Sequence, residues 1–282
     1  MKKNEFIIEE KTDFIDFLLS KNFSRNKAKS LVKYRAVYVN NKLLEKLPYT
    51  LIKGDRLVID NNKNAINIDI IYEDKNYLVV NKEAGLLTIS TSSLGKKNED
   101  TLYKEVRSYL NSKKEYAFIV NRIDKETSGL VMFVKNEKLK NRLQNNWNSI
   151  VKARKYIALV SGKINKNGRI DNYLYEDKKT FTHSTNIGGK RAITNYKPLK
   201  FNNKYTLLDV NIETGRKNQI RVHMSEMNHP IVGDKKYYSK DNSFKRLMLH
   251  HYEISLIDPL TNKELTFKTD IPEEFNVLFN NN

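Results

Sequence analysis

A nine-residue polar segment, Asn121-Arg122-Ile123-Asp124-Lys125-Glu126-Thr127-Ser128-Gly129, lies between two apolar runs and sets the strongest limit on how this chain folds. Upstream, Tyr116-Ala117-Phe118-Ile119-Val120 reads as a buried strand, and downstream Leu130-Val131-Met132-Phe133-Val134 reads as another. The polar segment is therefore expected to be a loop on rigid flanks, which would hold the carboxylate of Asp124 still. Two readings of Asp124 stay open from the residues alone: a catalytic group, or a turn former like the Thr, Ser and Gly beside it.

A chain of 282 residues can bury a full core and has room for a second, smaller domain. Its 51 Lys and Arg against 33 Asp and Glu give a formal charge of +18, which suits a polyanionic partner: RNA, DNA or an anionic membrane surface. The same excess also fits a general bias toward Lys, Asn and Ile. Without cysteine there are no disulfides and no thiolate-ligated zinc or iron–sulfur site. No apolar stretch approaches membrane-spanning length, and Met1-Lys2-Lys3-Asn4-Glu5-Phe6 lacks the apolar core of a secretory signal, so a cytoplasmic protein that uses no membrane is expected. His183, His223, His229, His250 and His251 have no carboxylate or cysteine partner at ligand spacing, so no metal is expected. Gly188-Gly189-Lys190 is too short to cradle a phosphate and reads as a hairpin turn.

Near the N-terminus, Phe14, Ile15, Phe17, Leu18 and Leu19 form one helical face, with Thr12 or Asp13 available as its cap. Ser24 can cap a second helix in which Ala28, Leu31 and Val32 face inward, while Arg25, Lys29 and Lys33 recur at i, i+4 spacing. Val37-Tyr38-Val39, the turn Asn40-Asn41-Lys42 and the strand Arg56-Leu57-Val58-Ile59 complete a small unit over residues 12–60. The polar run Asn61-Asn62-Lys63-Asn64 opens a linker over 61–68, and a larger domain follows over 69–282. By itself, the cationic stripe is what any solvated helix face shows.

Further motifs follow in order: Tyr72-Glu73-Asp74-Lys75-Asn76-Tyr77 within a hairpin ending at Lys82, the Asp124 segment, Arg154-Lys155-Tyr156-Ile157-Ala158, Gly215-Arg216-Lys217-Asn218-Gln219-Ile220-Arg221-Val222-His223, Gly233-Asp234-Lys235-Lys236-Tyr237, and Leu247-Met248-Leu249-His250. Together they resemble the RluA family of pseudouridine synthases, of the type acting on large-ribosomal-subunit RNA. Residues 12–60 resemble the small RNA-binding domain of a ribosomal small-subunit protein and of tyrosyl-tRNA synthetases. The resemblance implies an α+β chain: a small N-terminal RNA-binding domain, then a catalytic domain built on a central mixed, largely antiparallel sheet. It implies an RNA uridine-to-pseudouridine isomerase with no cofactor, a partner that is structured RNA, ribosomal first and transfer RNA second, and a monomer. Asp124 matches the family's catalytic aspartate, Tyr156 its active-site tyrosine, Arg221 the arginine that pairs with the aspartate, and Arg122 the residue that assists base flipping. Ile220 and Leu249 would wall the uracil, and Arg25, Lys29 and Lys33 would meet the RNA backbone.

The chemistry accounts for those residue types. Uridine must lose its glycosidic bond, turn its base and rejoin it through carbon. Asp124 would attack the anomeric carbon or take a proton from the neighbouring ribose carbon, and both routes need an ionised carboxylate. Arg221 and His223 read as one strand face, with His223 structural. Tyr156 alone would read as core, and Ile220 and Leu249 as ordinary packing. The chain departs from the family pattern at Asn121 for histidine, Ile123 for leucine, Glu83 for proline, and Lys217-Asn218 for Thr-His. A mutual Asn121–Asn218 contact would reconcile two of these changes. Two rivals stand beside the isomerase: an inactive RNA-binding assembly factor on the same fold, and a glycosylase that releases the base.

Overall fold

The structure is a computed structural model that describes residues 3–33, 36–60, 68–90, 101–177, 181–185, 187–237 and 244–279. It divides into two units, Met1–Asn67 and Ile68–Asn282. The linker expected over 61–68 lies outside the described residues apart from Ile68, as does the side chain of Lys33.

The first unit runs β1 (Lys3–Ile7), β2 (Thr12–Asp13), α1 (Phe14–Ser20), α2 (Arg25–Lys33), β3 (Val37–Val39), β4 (Lys42–Leu43), β5 (Thr50–Leu51) and β6 (Arg56–Asp60). Asp13 caps α1 by accepting from the backbone N–H of Ile15 at 2.8 Å and of Asp16 at 3.3 Å. Asn40 and Asn41, with φ of 50° and 65°, form the two-residue turn that joins β3 to β4, the left-handed geometry asparagine tolerates. Ala28, Leu31 and Val32 of α2 pack with Phe14 and Leu18 of α1 over Val37, Leu57 and Ile59, so the apolar stripe read from sequence is the core face. Arg25 and Lys29 lie on the exposed side, Arg25 within 3.6 Å of Asp16. One correction concerns the start of the unit: β1 pairs along β6 from Lys3–Asp60 to Ile7–Arg56, well ahead of Thr12. Its only apolar residues, Phe6 and Ile7, follow Lys3, Asn4 and Glu5, too short and too interrupted by charge to read as a strand in isolation.

The second unit contains β7 (Asp69–Glu73), β8 (Tyr77–Lys82), α3 (Leu102–Ser112), β9 (Phe118–Ile119), β10 (Ser128–Val134), α4 (Glu137–Asn145), α5 (Trp147–Ile150), β11 (Val151–Ser161), β12 (Gly168–Glu176), β13 (Thr182–Thr185), β14 (Lys190–Phe201), β15 (Tyr205–Ile212), α6 (Gln219–Glu226), β16 (Leu249–Ile257) and β17 (Glu264–Lys268). An 11-stranded sheet is ordered β13-β12-β14-β15-β11-β16-β10-β8-β7, with β17 on β16 and β9 on β10. Among the described residues its one parallel pairing is β10 with β16, so the fold is α+β on a mixed, largely antiparallel sheet. The unbroken apolar run of β10 is explained by burial on both faces: Val131 and Phe133 join Val106 and Leu110 of α3, while Leu130, Met132 and Val134 join Leu139 and Leu143 of α4. No helix among the described residues is long and apolar enough to cross a membrane.

Three sequence expectations are corrected in this unit. The run Tyr116–Val120 is not a buried strand: Tyr116 is 72 % exposed, and only Phe118 and Ile119 pair, at the end of β10. Gly188-Gly189-Lys190 does not close a hairpin, because β12 lies between β13 and β14 and the connection passes across its end. Arg221 and His223 lie on helix α6 rather than on a strand. Residues 219 to 224 of α6 are all buried, which erases the amphipathic 3.6-residue period and leaves Ile220 and Val222 to mimic a period of two.

Candidate active site

Gly129 fixes the height of the Asp124 loop. With φ of 113° it opens β10 against His251 of β16, and a Cβ there would collide with the His251 backbone. Just ahead of that contact, the Thr127 N–H closes a turn onto the Asp124 carbonyl at 3.2 Å. From below, Lys82 Nζ donates to the carbonyls of Glu83, Leu86 and Lys125 at 2.8, 2.7 and 3.0 Å. Burial pulls this amine down to about 7, against the nearby carboxylates Glu126, Asp124 and Glu83. Three carbonyl acceptors require its ammonium form, so Lys82 is a charged pin inside the loop. Thr88 Oγ1 adds a bond to the Ile123 carbonyl at 2.7 Å. The polar segment is held by the buried strand β10 downstream and by Lys82 and Thr88, while the upstream flank gives it only the short β9.

A cleft of about 420 Å³ opens above this loop. It gathers all six residues expected at the catalytic centre: Arg122 and Asp124 from the loop, Tyr156 from β11, Ile220 and Arg221 from α6, and Leu249 from β16. The Asp124 side chain is 28 % exposed, with its Oδ2 3.9 Å from Arg221 Nη1. The stronger partner of Arg221 is Asp234, fully buried, which accepts from Nε at 2.8 Å and from Nη2 at 2.7 Å. The remaining Arg221 donor, Nη1, reaches Asn218 Oδ1 at 2.9 Å. The arginine is thus locked in place by Asp234 and Asn218, and the Nη1 it gives to Asn218 is also the nitrogen nearest Asp124. Burial raises the Asp124 carboxyl above its ordinary range; Arg221, the Asn218 N–H and Lys236 pull it down, and Asp234 adds to the rise. The outcome refines the simple pairing drawn from sequence: Arg221 is divided between two carboxylates, and the more distant one retains a raised affinity for its proton.

Asn218 adopts a left-handed backbone, φ 53° and ψ 19°, directly before α6. Its Nδ2 donates to the Tyr237 hydroxyl at 3.2 Å, which in turn accepts from the Thr182 N–H at 3.0 Å. Asn121 uses its Oδ1 elsewhere, on the Met132 N–H of β10 at 2.7 Å. The two departures from the family pattern therefore serve different partners, and the mutual contact between them is not made. His223, two residues beyond Arg221, points the other way around the helix, to Thr194 Oγ1 at 2.9 Å and Asn172 Oδ1 at 2.8 Å, which fits its structural reading.

Tyr156 is 7 % exposed and stacks on His251, with ring centroids 4.4 Å apart and planes at 18°. His251 donates from Nδ1 to the Leu130 carbonyl at 2.7 Å, and burial keeps its ring neutral, down to about 4. One face of Tyr156 is thereby fixed by a neutral ring, and the phenol meets the cleft. Burial, with Asp124 adding and Arg154 opposing, holds the phenol protonated well above its usual range. Ile220 and Leu249, 5 % and 3 % exposed, supply the apolar walls, and Arg122 stands exposed at the rim. Sequence reasoning gave no role to Asp234, Tyr237, Lys82, Arg154 or Trp147. Asp234 and Tyr237 did stand inside a noted motif, and the signal was a carboxylate in an otherwise basic run. Among the described residues no group of three metal-ligating side chains comes together.

A family model for RNA pseudouridylate synthase matches residues 76–226, a span that contains Asp124, Tyr156 and Arg221. The chain belongs to this family of isomerases, of the RluA type. It is 34 % identical over 307 aligned positions to "Ribosomal large subunit pseudouridine synthase D" of Borreliella burgdorferi, covering 99 % of this chain and 92 % of that one. It is 32 % identical to an uncharacterized RNA pseudouridine synthase of Aquifex aeolicus, covering 98 % and 95 %. Human RNA Pseudouridylate Synthase Domain Containing 1 shares the fold, with a TM-score of 0.61 at 22 % identity over 73 % of this chain and 84 % of that one.

Proposed function

We propose that the cleft isomerises uridine to pseudouridine in structured RNA of the large ribosomal subunit, with Asp124 as the group that attacks the ribose or removes its proton. The observation that carries this reading is the meeting of Asp124, divided Arg221 and stacked Tyr156 in one cleft with apolar walls. Arg221 stabilises the ionised carboxylate, and its lock on Asp234 keeps it from following the substrate. Tyr156 presents a flat face to the uracil and a protonated phenol to a base that must exchange a proton as the new carbon bond forms. Ile220 and Leu249 exclude water, so the released base stays in place while it turns. Arg122 at the rim occupies the gap left when the nucleotide leaves its stack. Arg25 and Lys29, exposed on α2, together with Lys33, supply sequence-independent affinity for the RNA backbone. The names of the relatives favour large-subunit ribosomal RNA over transfer RNA as the target. Action in the cytoplasm as a monomer is part of the same proposal. The reaction is redox-neutral and calls for no cofactor.

Large-subunit ribosomal RNA labelled in uridine, incubated with the protein and digested to nucleosides, tests this reading. Pseudouridine supports it; unchanged uridine points to a binding factor, and free uracil to a glycosylase.

A further inference from the structure

A second hollow, of about 470 Å³, adjoins the cleft and shares Trp147, Arg154 and Ile212 with it. Its remaining wall includes Ile193 of β14, Asn211 of β15 and Asn148 of α5. Trp147 is the sole tryptophan of the chain. It sits between the two hollows on a four-residue helix and packs in part against the core around Leu139 and Leu143. Core packing explains why an apolar group stands there. It leaves unexplained why the largest flat side chain borders two cavities at once, on the side of the molecule where a polyanion is to be bound.

The polar groups around the second hollow have the makings of a base edge and a phosphate. Asn211 uses its oxygen on the Arg154 N–H at 3.2 Å, which leaves its NH2 group as a donor. Asn148 is exposed and carries an amide donor and an acceptor side by side. Arg154, 9 % exposed, lines both hollows and gives Nη2 to the Glu213 carbonyl at 2.6 Å, which fixes its guanidinium. Lys152 contributes a second cation to the wall. An aromatic face, amides of both polarities and a fixed cation make a site for an unstacked nucleobase, whose phosphodiester runs past Arg154.

We propose that this hollow is a second nucleobase subsite, which takes the base of a nucleotide flanking the target uridine and stacks it on Trp147. The proposal rests on the reading of the first cleft as the uridine site. Two neighbouring nucleotides extruded together would be read by two adjoining pockets, so that the flanking base helps select which uridine is modified. Trp147 would then be a specificity determinant and would take no part in the bond chemistry.

The test uses the heptaribonucleotide AAAUAAA, whose single uridine sets the register, and versions with an abasic ribose at each flanking position in turn. Binding is followed by anisotropy of an end-labelled oligonucleotide, and stacking by the fluorescence of Trp147 with unlabelled RNA. The intact heptamer should quench Trp147. Removing the base at one position beside the uridine should abolish the quenching and weaken binding roughly five- to hundredfold, while removal at the ends should change neither. Trp147→Ala should reproduce that loss with intact RNA and show no further loss with the abasic RNA, whereas Trp147→Phe, which keeps a flat face, should retain affinity. The proposal is overturned if the RNA binds and Trp147 fluorescence does not move, or if the losses from Trp147→Ala and the abasic position simply add. Should no heptamer bind at all, the subsite is overturned, while the uridine cleft is judged separately by pseudouridine formation on large-subunit ribosomal RNA. The abasic series needs no altered protein, so a folding defect in Trp147→Ala cannot mask the result.

Discussion

Asp124 is governed by a competition that two neighbouring residues can tip in opposite directions. Burial raises its carboxyl first, Arg221 lowers it and Asp234 raises it. The reaction proposed for Asp124 needs its ionised form, so activity should be lost as pH falls through this raised value, and the acid limb of kcat/KM should lie above the ordinary carboxylate range. Asp234→Asn removes a like charge and should move that limb to lower pH. Arg221→Met should move it to higher pH and cost about 3–5 kcal/mol of stability, because Asp234 is then left buried and unpaired. A pH–rate series on the three proteins checks both signs, and a limb that stays put in each would remove Asp124 as the titrating group. The residue types of this site were legible in the sequence because each stood in a recognisable motif. The lock on Arg221 was not, since Asp234 lies thirteen positions further on and only the fold brings the two together.

Among the elements, the parallel contact of β10 with β16 decides whether the site exists. Gly129 allows the two backbones to approach, and the pairing places His251 under Tyr156 and the Asp124 loop above them. Gly129→Ala must both adopt a left-handed φ and push β16 aside. The expected outcome is a loss of several kcal/mol in denaturant unfolding together with loss of turnover, measured on the same preparation. A stable variant with intact turnover would show that the approach is not needed. Strand β10 was legible because its apolar run from Leu130 to Val134 is continuous. Helix α6 was not, because a helix buried all round carries no polar face to mark its period. The short β9 misled in the other direction: an apolar sequence at the edge of a sheet pairs over two residues and leaves Tyr116 in water.

Across the whole molecule, burial of three histidines ties stability to pH. His223, His250 and His251 are held neutral by burial, down to about 4, about 3 and about 4, against an ordinary value of 6.5. Their folded-state values are depressed, so the stability they confer is present above 6.5 and is lost as pH falls from there toward 4, where the unfolded chain takes up protons that the folded chain refuses. Each contributes a slope approaching about 1.4 kcal/mol per pH unit in that window. Chemical unfolding between pH 7.5 and about 5 should show the decline, and a flat profile would mean that the three rings are not held as described. The basic first unit was readable from pattern and charge, the α+β class came from the family resemblance, and the strand order of the sheet came only with the structure. The most direct measurement of the central claim is turnover by Asp124→Asn on large-subunit ribosomal RNA, with products resolved as nucleosides and RNA binding measured alongside. Binding retained with no pseudouridine formed is the expected result, and full pseudouridine formation by Asp124→Asn would contradict the account.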